Sequence, residues 1–256
     1  MNITLAPTGL GHDAQTLYHY LTTYLINDDV AIDAGSLGFA GSPAEQTRVR
    51  HVFLSHSHID HVASLPIFLE NVFDQGAAPV TVYGSAEVLD SLQRDVFNDR
   101  LWPDFIGMSR KGESLLRLHP LVAGQAVSCG GLSITPVPVH HSVPTFGFIV
   151  EDAAAAVVMP GDTGPTEEIW HRANRLANLK AIFLEATFPD EQARLADIAG
   201  HLTPKLFAGE VRKVNRPARF IAVHIKARFQ AQVIAELQAL ALTGFETVRP
   251  GSVYRF

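Results

Sequence analysis

The sequence predicts a layered α/β protein whose helices cover the outer faces of its sheets. Three observations carry this. Short apolar or β-branched runs bounded by turn residues recur along the chain, and stretches with helical spacing lie between them in both halves. In addition, no internal repeat, low-complexity tract or Pro/Gly/Ser-rich linker divides the 256 residues, so residues 1–256 read as one domain.

Taken in order, residues 2–7, 22–26, 30–33 and 52–54 read as strands, with turn signals at Asn27-Asp28-Asp29 and Ala34-Gly35-Ser36. A helix is predicted over 62–73, because Leu65, Phe68, Leu69 and Phe73 recur at helical spacing and Pro66 is tolerated in a first turn. Residues 80–83 form a strand and 86–97 a helix. In the second half, 134–139, 148–151 and 155–159 are strands, and 166–175 is a helix with Thr166 as its cap. Residues 182–185 and 220–223 are strands, and 230–240 is a closing helix. Antiparallel pairing is expected to dominate early; periodicity leaves the topology open.

Composition narrows the function classes. The net charge is -6 and no run of Lys and Arg suggests a track along nucleic acid. Residues 1–7 lack a basic segment leading into a long apolar stretch, and no apolar run reaches the ~20 residues needed to span a bilayer. The one cysteine, Cys129, excludes an intrachain disulfide and fits a reducing compartment. A cytoplasmic protein without a membrane partner is expected, and an apolar edge near Val253 would fit a homodimer. Histidine is the outlier: 12 against 20 Lys plus Arg, with several at the ends of predicted strands, where chemistry is usually presented.

The sharpest feature is Ser55-His56-Ser57-His58-Ile59-Asp60-His61, immediately after the apolar run Val52-Phe53-Leu54. In an extended segment, residues two apart point to the same side, so His56, His58 and Asp60 converge and His61 follows as the chain turns. Imidazole nitrogen and carboxylate oxygen are the usual non-thiolate ligands of Zn²⁺. Four such groups in six residues exceed what one open tetrahedral site takes from a local segment, and suggest two metals.

His56-x-His58-x-Asp60-His61 resembles the metal-binding signature of the metallo-β-lactamase superfamily. The resemblance implies a four-layered αββα sandwich with metals at one edge of the sheets. It also implies a later histidine, an aspartate and a last histidine, in that order. His140-His141, followed by Pro144 and Gly147-Phe148, supplies the first, and the branch pattern selects His141. Pro160-Gly161-Asp162 supplies the aspartate, with Gly161 allowing a tight turn. Phe220-Ile221-Ala222-Val223-His224 supplies the last. The implied set is His56, His58 and His141 on one metal, Asp60, His61 and His224 on the other, and Asp162 bridging. Two divalent ions are expected, zinc first; manganese and iron suit the same donors.

Within the superfamily, several short elements resemble class II 3′,5′-cyclic-nucleotide phosphodiesterases. They are Leu21-Thr22-Thr23-Tyr24-Leu25-Ile26 leading to Asp33-Ala34-Gly35-Ser36, Phe97-Asn98 before Leu101-Trp102-Pro103-Asp104-Phe105, Gly200-His201-Leu202-Thr203-Pro204, and His224-Ile225-Lys226. Thr8-Gly9-Leu10-Gly11-His12-Asp13 only loosely resembles the group's first loop. The implied activity is hydrolysis of cyclic AMP or GMP, small-molecule substrates, to the 5′-nucleoside monophosphate. Asp60 and Asp162 would hold the metals and orient the attacking water, and His201 would protonate the leaving oxygen. His201 reads equally as a residue ahead of a helix capped by Thr203 with Pro204 in its first turn. Trp102 and Phe105 could stack a purine, although buried aromatics usually serve packing. Lys226 reads as a phosphate contact or, more simply, a solvated lysine. Two alternatives remain: a tRNA 3′-processing endonuclease, and a metal-dependent hydrolase or binding protein for an unrelated small ester.

Overall fold

The structure is a computed structural model that describes residues 1–10, 17–74, 78–113 and 115–256. The loosely matching loop residues Gly11, His12 and Asp13 lie outside the described residues. The first half contributes β1 (Asn2–Leu5), β2 (Gly9–Leu10), β3 (Leu17–Tyr18), β4 (Tyr24–Ile26), β5 (Val30–Ile32), α1 (Pro43–Gln46), β6 (His51–Phe53), α2 (Ile59–Val62), α3 (Leu65–Val72), β7 (Val80–Gly84), α4 (Ala86–Ser91), α5 (Phe105–Met108) and β8 (Leu116–Pro120). The second half contributes β9 (Val127–Cys129), β10 (Leu132–Val139), β11 (Thr145–Glu151), β12 (Ala156–Gly161), α6 (Glu168–Ala173), β13 (Leu179–Glu185), α7 (Ala193–Ala199), α8 (Pro204–Val211), β14 (Arg219–Val223), α9 (Gln230–Ala239), β15 (Phe245–Thr247) and β16 (Val253–Arg255).

Two seven-stranded sheets result, ordered β16-β1-β4-β5-β6-β7-β8 and β15-β14-β13-β12-β11-β10-β9, with β2 and β3 forming a small separate pair. Both are mixed. Pairing is antiparallel from β16 to β5 and parallel from β5 to β8. In the second sheet it is parallel from β15 to β12 and antiparallel from β12 to β9. Parallel neighbours need crossovers, and the helices supply them.

Three separate cores define four layers. Because strand side chains alternate between faces, the unbroken apolar runs divide residue by residue. Val52, Ala31, Val80 and Val82 pack outward against Leu65, Phe68 and Leu69 of α3. Phe53, Val30, Ile32 and Tyr83 face inward, where they meet Phe148, Val150, Val157, Met159, Phe183 and Val223 of the second sheet. Val158, Ile182, Leu184 and Ala222 pack outward again, against Ile169 and Trp170 of α6, Phe207 of α8 and Val233 of α9. A strand buried on both faces must be apolar throughout, which is why these segments carried no alternation in the sequence. The αββα sandwich follows.

Several expectations need correction. The helix predicted over 62–73 is two helices broken at Ala63-Ser64. Ser64 Oγ donates to Ala34 O (2.9 Å) and accepts from Gly38 N (2.8 Å), and Pro66 enters the first turn of α3. Thr166 does not cap α6: the helix starts after Glu167, and Thr166 N donates to Glu210 Oε2 instead (3.2 Å). The helix over 86–97 is α4 continued by a π-helical turn over Leu92–Val96. Phe105 is buried in the first outer core and Trp102 packs against that core, so both serve packing. Strands β2, β3, β8, β9 and β15 went unread, whereas the edge expected near Val253 is β16. Strands β8, β9 and β15 lie at sheet edges, where one-sided burial weakens the apolar signal. Among the described residues no helix is long and apolar enough to cross a membrane.

Phe53 is fully buried between the sheets, stacked on Tyr83 at 4.1 Å and edge-on to Phe148 at 5.9 Å. Phe53→Ala should therefore cost about 3–5 kcal/mol of stability, read as a lowered denaturant midpoint at unchanged slope. A loss below ~1 kcal/mol would mean that the inter-sheet core repacks around the gap.

Candidate metal centre

The candidate donors gather at one edge of the sandwich, just past the carboxyl ends of β6, β12 and β14 and at the turn between β10 and β11. In open α/β sheets this is where chemistry is usually presented. Strand β6 delivers His56, which is fully buried, and the chain stays extended to His58 (φ -62°, ψ 147°), which opens α2. Here strand alternation stops. Asp60 and His61 lie on α2, so their convergence with His56 and His58 is helical and not a continuation of the pleat. Glycine makes the close approach possible: a Cβ on Gly35 would sit 2.0 Å from Asp60 O, the carbonyl that accepts from Thr22 N at 2.7 Å.

Among the described residues four overlapping groups of donor atoms have members within 4.8 Å of one another, and two of them hold the expected ligands: His56, His58 and His141; and Asp60, His61, Asp162 and His224. His140 is exposed and lies outside both, its carbonyl accepting from Gly164 N (2.7 Å). Gly161 takes a left-handed φ of 68° at the end of β12, and Asp162 follows it into the interior. Asp162 Oδ2 lies 3.8 Å from His56 Nε2, 3.3 Å from His61 Nε2 and 3.4 Å from His224 Nε2. One carboxylate oxygen thus faces histidines of both groups. Lys226 is half-exposed and places Nζ 3.1 Å from Asp60 Oδ2, so it is an ion-pair partner and not a free solvated lysine.

Behind the donors stands a layer of acceptors. Asp33, buried at a φ of 60°, accepts from Ser55 N (2.8 Å) on Oδ1 and from His61 Nδ1 (2.7 Å) on Oδ2. His56 Nδ1 meets Ser55 Oγ at 2.9 Å, and His141 Nδ1 donates to Gly200 O at 2.9 Å. His224 Nδ1 donates to Thr187 Oγ1 (2.9 Å), whose hydroxyl donates to Glu185 Oε2 (2.5 Å). With Nδ1 engaged outward, Nε2 of each ring is left for the centre, the arrangement by which outer groups fix the tautomer of metal-binding histidines.

His201, on the loop between α7 and α8, donates Nδ1–H to Glu185 Oε1 at 2.7 Å. Glu185 is fully buried and fully bonded, accepting also from Thr163 N (2.7 Å) and Leu202 N (3.0 Å). The capping reading of this loop holds as well: Thr203 accepts from Leu206 N, with Pro204 in the first turn of α8. Asp33, Glu185 and Thr187 were not singled out from the sequence as site residues. Glu185 had a signal, since it ends an apolar strand with an acid; Thr187 had none.

Charge in the centre is balanced locally. Burial pushes His56 well below its ordinary pKa and also lowers His58 and His141, which leaves neutral rings with lone pairs. Burial alone would raise Asp60 and Asp162, but the histidines around them outweigh it and hold both ionised. Burial opposes a charged His61, yet Asp162 and Asp33 hold its pKa well above the ordinary value. His201 is raised in the same way, by Glu185 against burial. His19, edge-on to the His224 ring at 5.6 Å, is pushed down by burial to about 3.

These residues suit divalent cations. Among the described residues His56 Nε2, on a ring held neutral, is buried without a hydrogen-bond partner, which costs free energy unless something else occupies the lone pair. Mixed imidazole and carboxylate donors are the zinc-type set. Fold and donor set together define a candidate metal centre at the edge of an αββα sandwich.

Comparison with known proteins is specific. The β-lactamase superfamily domain model matches residues 30–225. The chain belongs to that superfamily, in its metallo-β-lactamase form. It is 27% identical, over 86% of its own length and 78% of the other's, to a protein of Yersinia pestis named as a probable 3′,5′-cyclic-nucleotide phosphodiesterase. It is 23% identical to ribonuclease BN of Cronobacter sakazakii, over 75% of this chain and 77% of that one. The crystal structure of unliganded yeast PDE1 superposes with a TM-score of 0.79 at 17% identity, covering 98% of both chains.

Asp33→Asn keeps a residue tolerant of the left-handed backbone but removes the charge behind His61. It should weaken metal affinity roughly 10- to 100-fold in competition with a chelator. Unchanged affinity would show that Asp33 serves only to bind Ser55.

Proposed function

We propose that the chain is a binuclear metal-dependent phosphodiesterase that opens 3′,5′-cyclic nucleotides to 5′-nucleoside monophosphates. The observation that carries this reading is Asp162 Oδ2, shared between two donor groups, with the Glu185–His201 pair beside it. His56, His58 and His141 would hold one cation, and Asp60, His61 and His224 the other, with Asp162 common to both. A cation pair supplies positive charge at the phosphoryl oxygens and a water acidic enough to attack at neutral pH.

The remaining chemistry belongs to the chain. Asp162 and Asp60, both held ionised, balance the positive charge and orient the nucleophile. Glu185 fixes the tautomer and charge of His201, so that His201 Nε2 carries a proton toward the departing 3′-oxygen. His141, His201 and Asp162 bring donor atoms within 4.8 Å of one another, which supports His201 as the acid. Similarity to the Yersinia phosphodiesterase supports the substrate class. The ribonuclease BN match favours a second reading, cleavage at the 3′ end of tRNA precursors; the net charge of -6 counts against it.

The direct test is product analysis after incubating zinc- or manganese-loaded protein with cyclic AMP, beside His58→Ala. Conversion to 5′-AMP by the wild type alone is expected. Retained metal without conversion would move the activity to another ester, and tRNA-precursor cleavage would favour the ribonuclease. A sharper test separates the acid from the metals. His201→Ala should lower kcat on cyclic AMP by roughly 10²–10⁴-fold, yet lose less than about tenfold on bis-p-nitrophenyl phosphate, whose leaving group departs without a proton. Equal losses on both esters would remove His201 from the acid role.

A further inference from the structure

With Trp102 and Phe105 committed to the first outer core, a different aromatic stands beside the reacting groups. Phe188 is half-buried and belongs to none of the three cores. Its ring lies 5.6 Å from that of His201, and Phe229 stands behind it at 6.1 Å. Phe229 is itself anchored on the third core and covered by the Arg228 guanidinium at 5.2 Å. The backbone under Phe188 is tied down: Thr187 N and Phe188 N both donate to Leu202 O, at 3.0 and 3.3 Å, and Lys226 N donates to Thr187 O at 3.4 Å.

Two ordinary explanations for this ring are weak. It adds nothing to a core cluster. It is also not needed to aim His201, whose Nδ1 is already fixed by Glu185 at 2.7 Å. The other rings beside His201 are candidate metal donors, His141 at 4.9 Å and His224 at 5.5 Å, which leaves Phe188 as its aromatic neighbour outside the donor set among the described residues.

We propose that Phe188, backed by Phe229, is the stacking surface for the nucleobase of the substrate and sets the preference for nucleoside over simple alkyl phosphodiesters. This rests on the cyclic-nucleotide reading above. His201 delivers its proton to the oxygen that leaves with the ribose, so the ribose lies against His201. The base, carried on that ribose, then finds Phe188, 5.6 Å from the His201 ring, as the adjacent aromatic surface that is not a candidate metal donor. Stacking tolerates every base, since each has a π-face, so the site selects a base without strongly choosing among them. A pre-positioned ring loses little entropy on binding.

The experiment compares wild type, Phe188→Ala and Phe188→Trp on cyclic AMP and on methyl riboside 3′,5′-cyclic phosphate, which keeps the reacting ester and removes the base. Phe188→Ala should raise KM for cyclic AMP about tenfold, within the range of base–aromatic stacking, and change the baseless ester by less than about twofold. Phe188→Trp should restore the wild-type KM and guards against a folding artefact. Calorimetry on the metal-loaded proteins gives a second readout: 5′-AMP should bind about tenfold more weakly to Phe188→Ala, with ribose 5-phosphate unmoved. Equal losses on both esters, or none on either, would overturn the stacking role and leave the phosphodiesterase reading standing. If the wild type opens neither ester, the phosphodiesterase reading falls, and the contrast between 5′-AMP and ribose 5-phosphate still decides the role of Phe188.

Discussion

The centre depends on burying one carboxylate. Asp162 is 2% exposed, and an ionised carboxylate at that depth is tolerated only when positive charge surrounds it. Three histidines converge on its Oδ2; His224 comes from the same sheet, but His56 and His61 follow β6 of the other and reach it only when both sheets are stacked in register. The inter-sheet core that sets this stacking is built from large rings and branched chains, Phe53, Phe148 and Phe183 among them. Packing there and charge at the edge are therefore one problem. A shift between the sheets would separate β6 and its histidines from Asp162 on β12 and His224 on β14.

The acceptors behind the histidines turn that convergence into a defined geometry. Asp33 on the first sheet, Gly200 O on the α7–α8 side, and the Thr187–Glu185 relay on the second sheet each take an Nδ1 proton and turn a ring inward. Glu185 is used twice, since the same carboxylate orients His224 through Thr187 and binds His201 directly. The donor group and the candidate acid are thus held by one buried residue on a rigid strand. Positioning of this kind keeps reacting groups within fractions of an ångström.

Much of this was legible in the sequence, for identifiable reasons. The cluster from His56 to His61 is local, so its chemistry survives without any knowledge of the fold. Gly161 and Thr203 announced a left-handed turn and a helix start through chemistry specific to those positions. What was misread was misread because contacts distant in sequence overrode local pattern. Asp60 was assigned to a pleat that ends at His58. The helix over 62–73 was broken by Ser64 bonding back to Ala34 and Gly38, some 26 to 30 residues earlier. Trp102, by contrast, packs against the first outer core, the reading already favoured for it over stacking a purine.

By itself the sequence determined the kind of chemistry: imidazoles and carboxylates in a spacing suited to metals, ended strands to present them, and apolar runs dense enough to be buried on both faces. Only the tertiary structure decided which of these groups share a site. It chose His141 over the adjacent His140, brought Asp33 and Glu185 behind the histidines, tied Lys226 to Asp60, and left Phe188 beside His201. The physical reason is range. Residue type and local spacing are written along the chain, whereas the approach of His56 and His61, after β6, to Asp162, after β12, exists only once two sheets have closed on a common core.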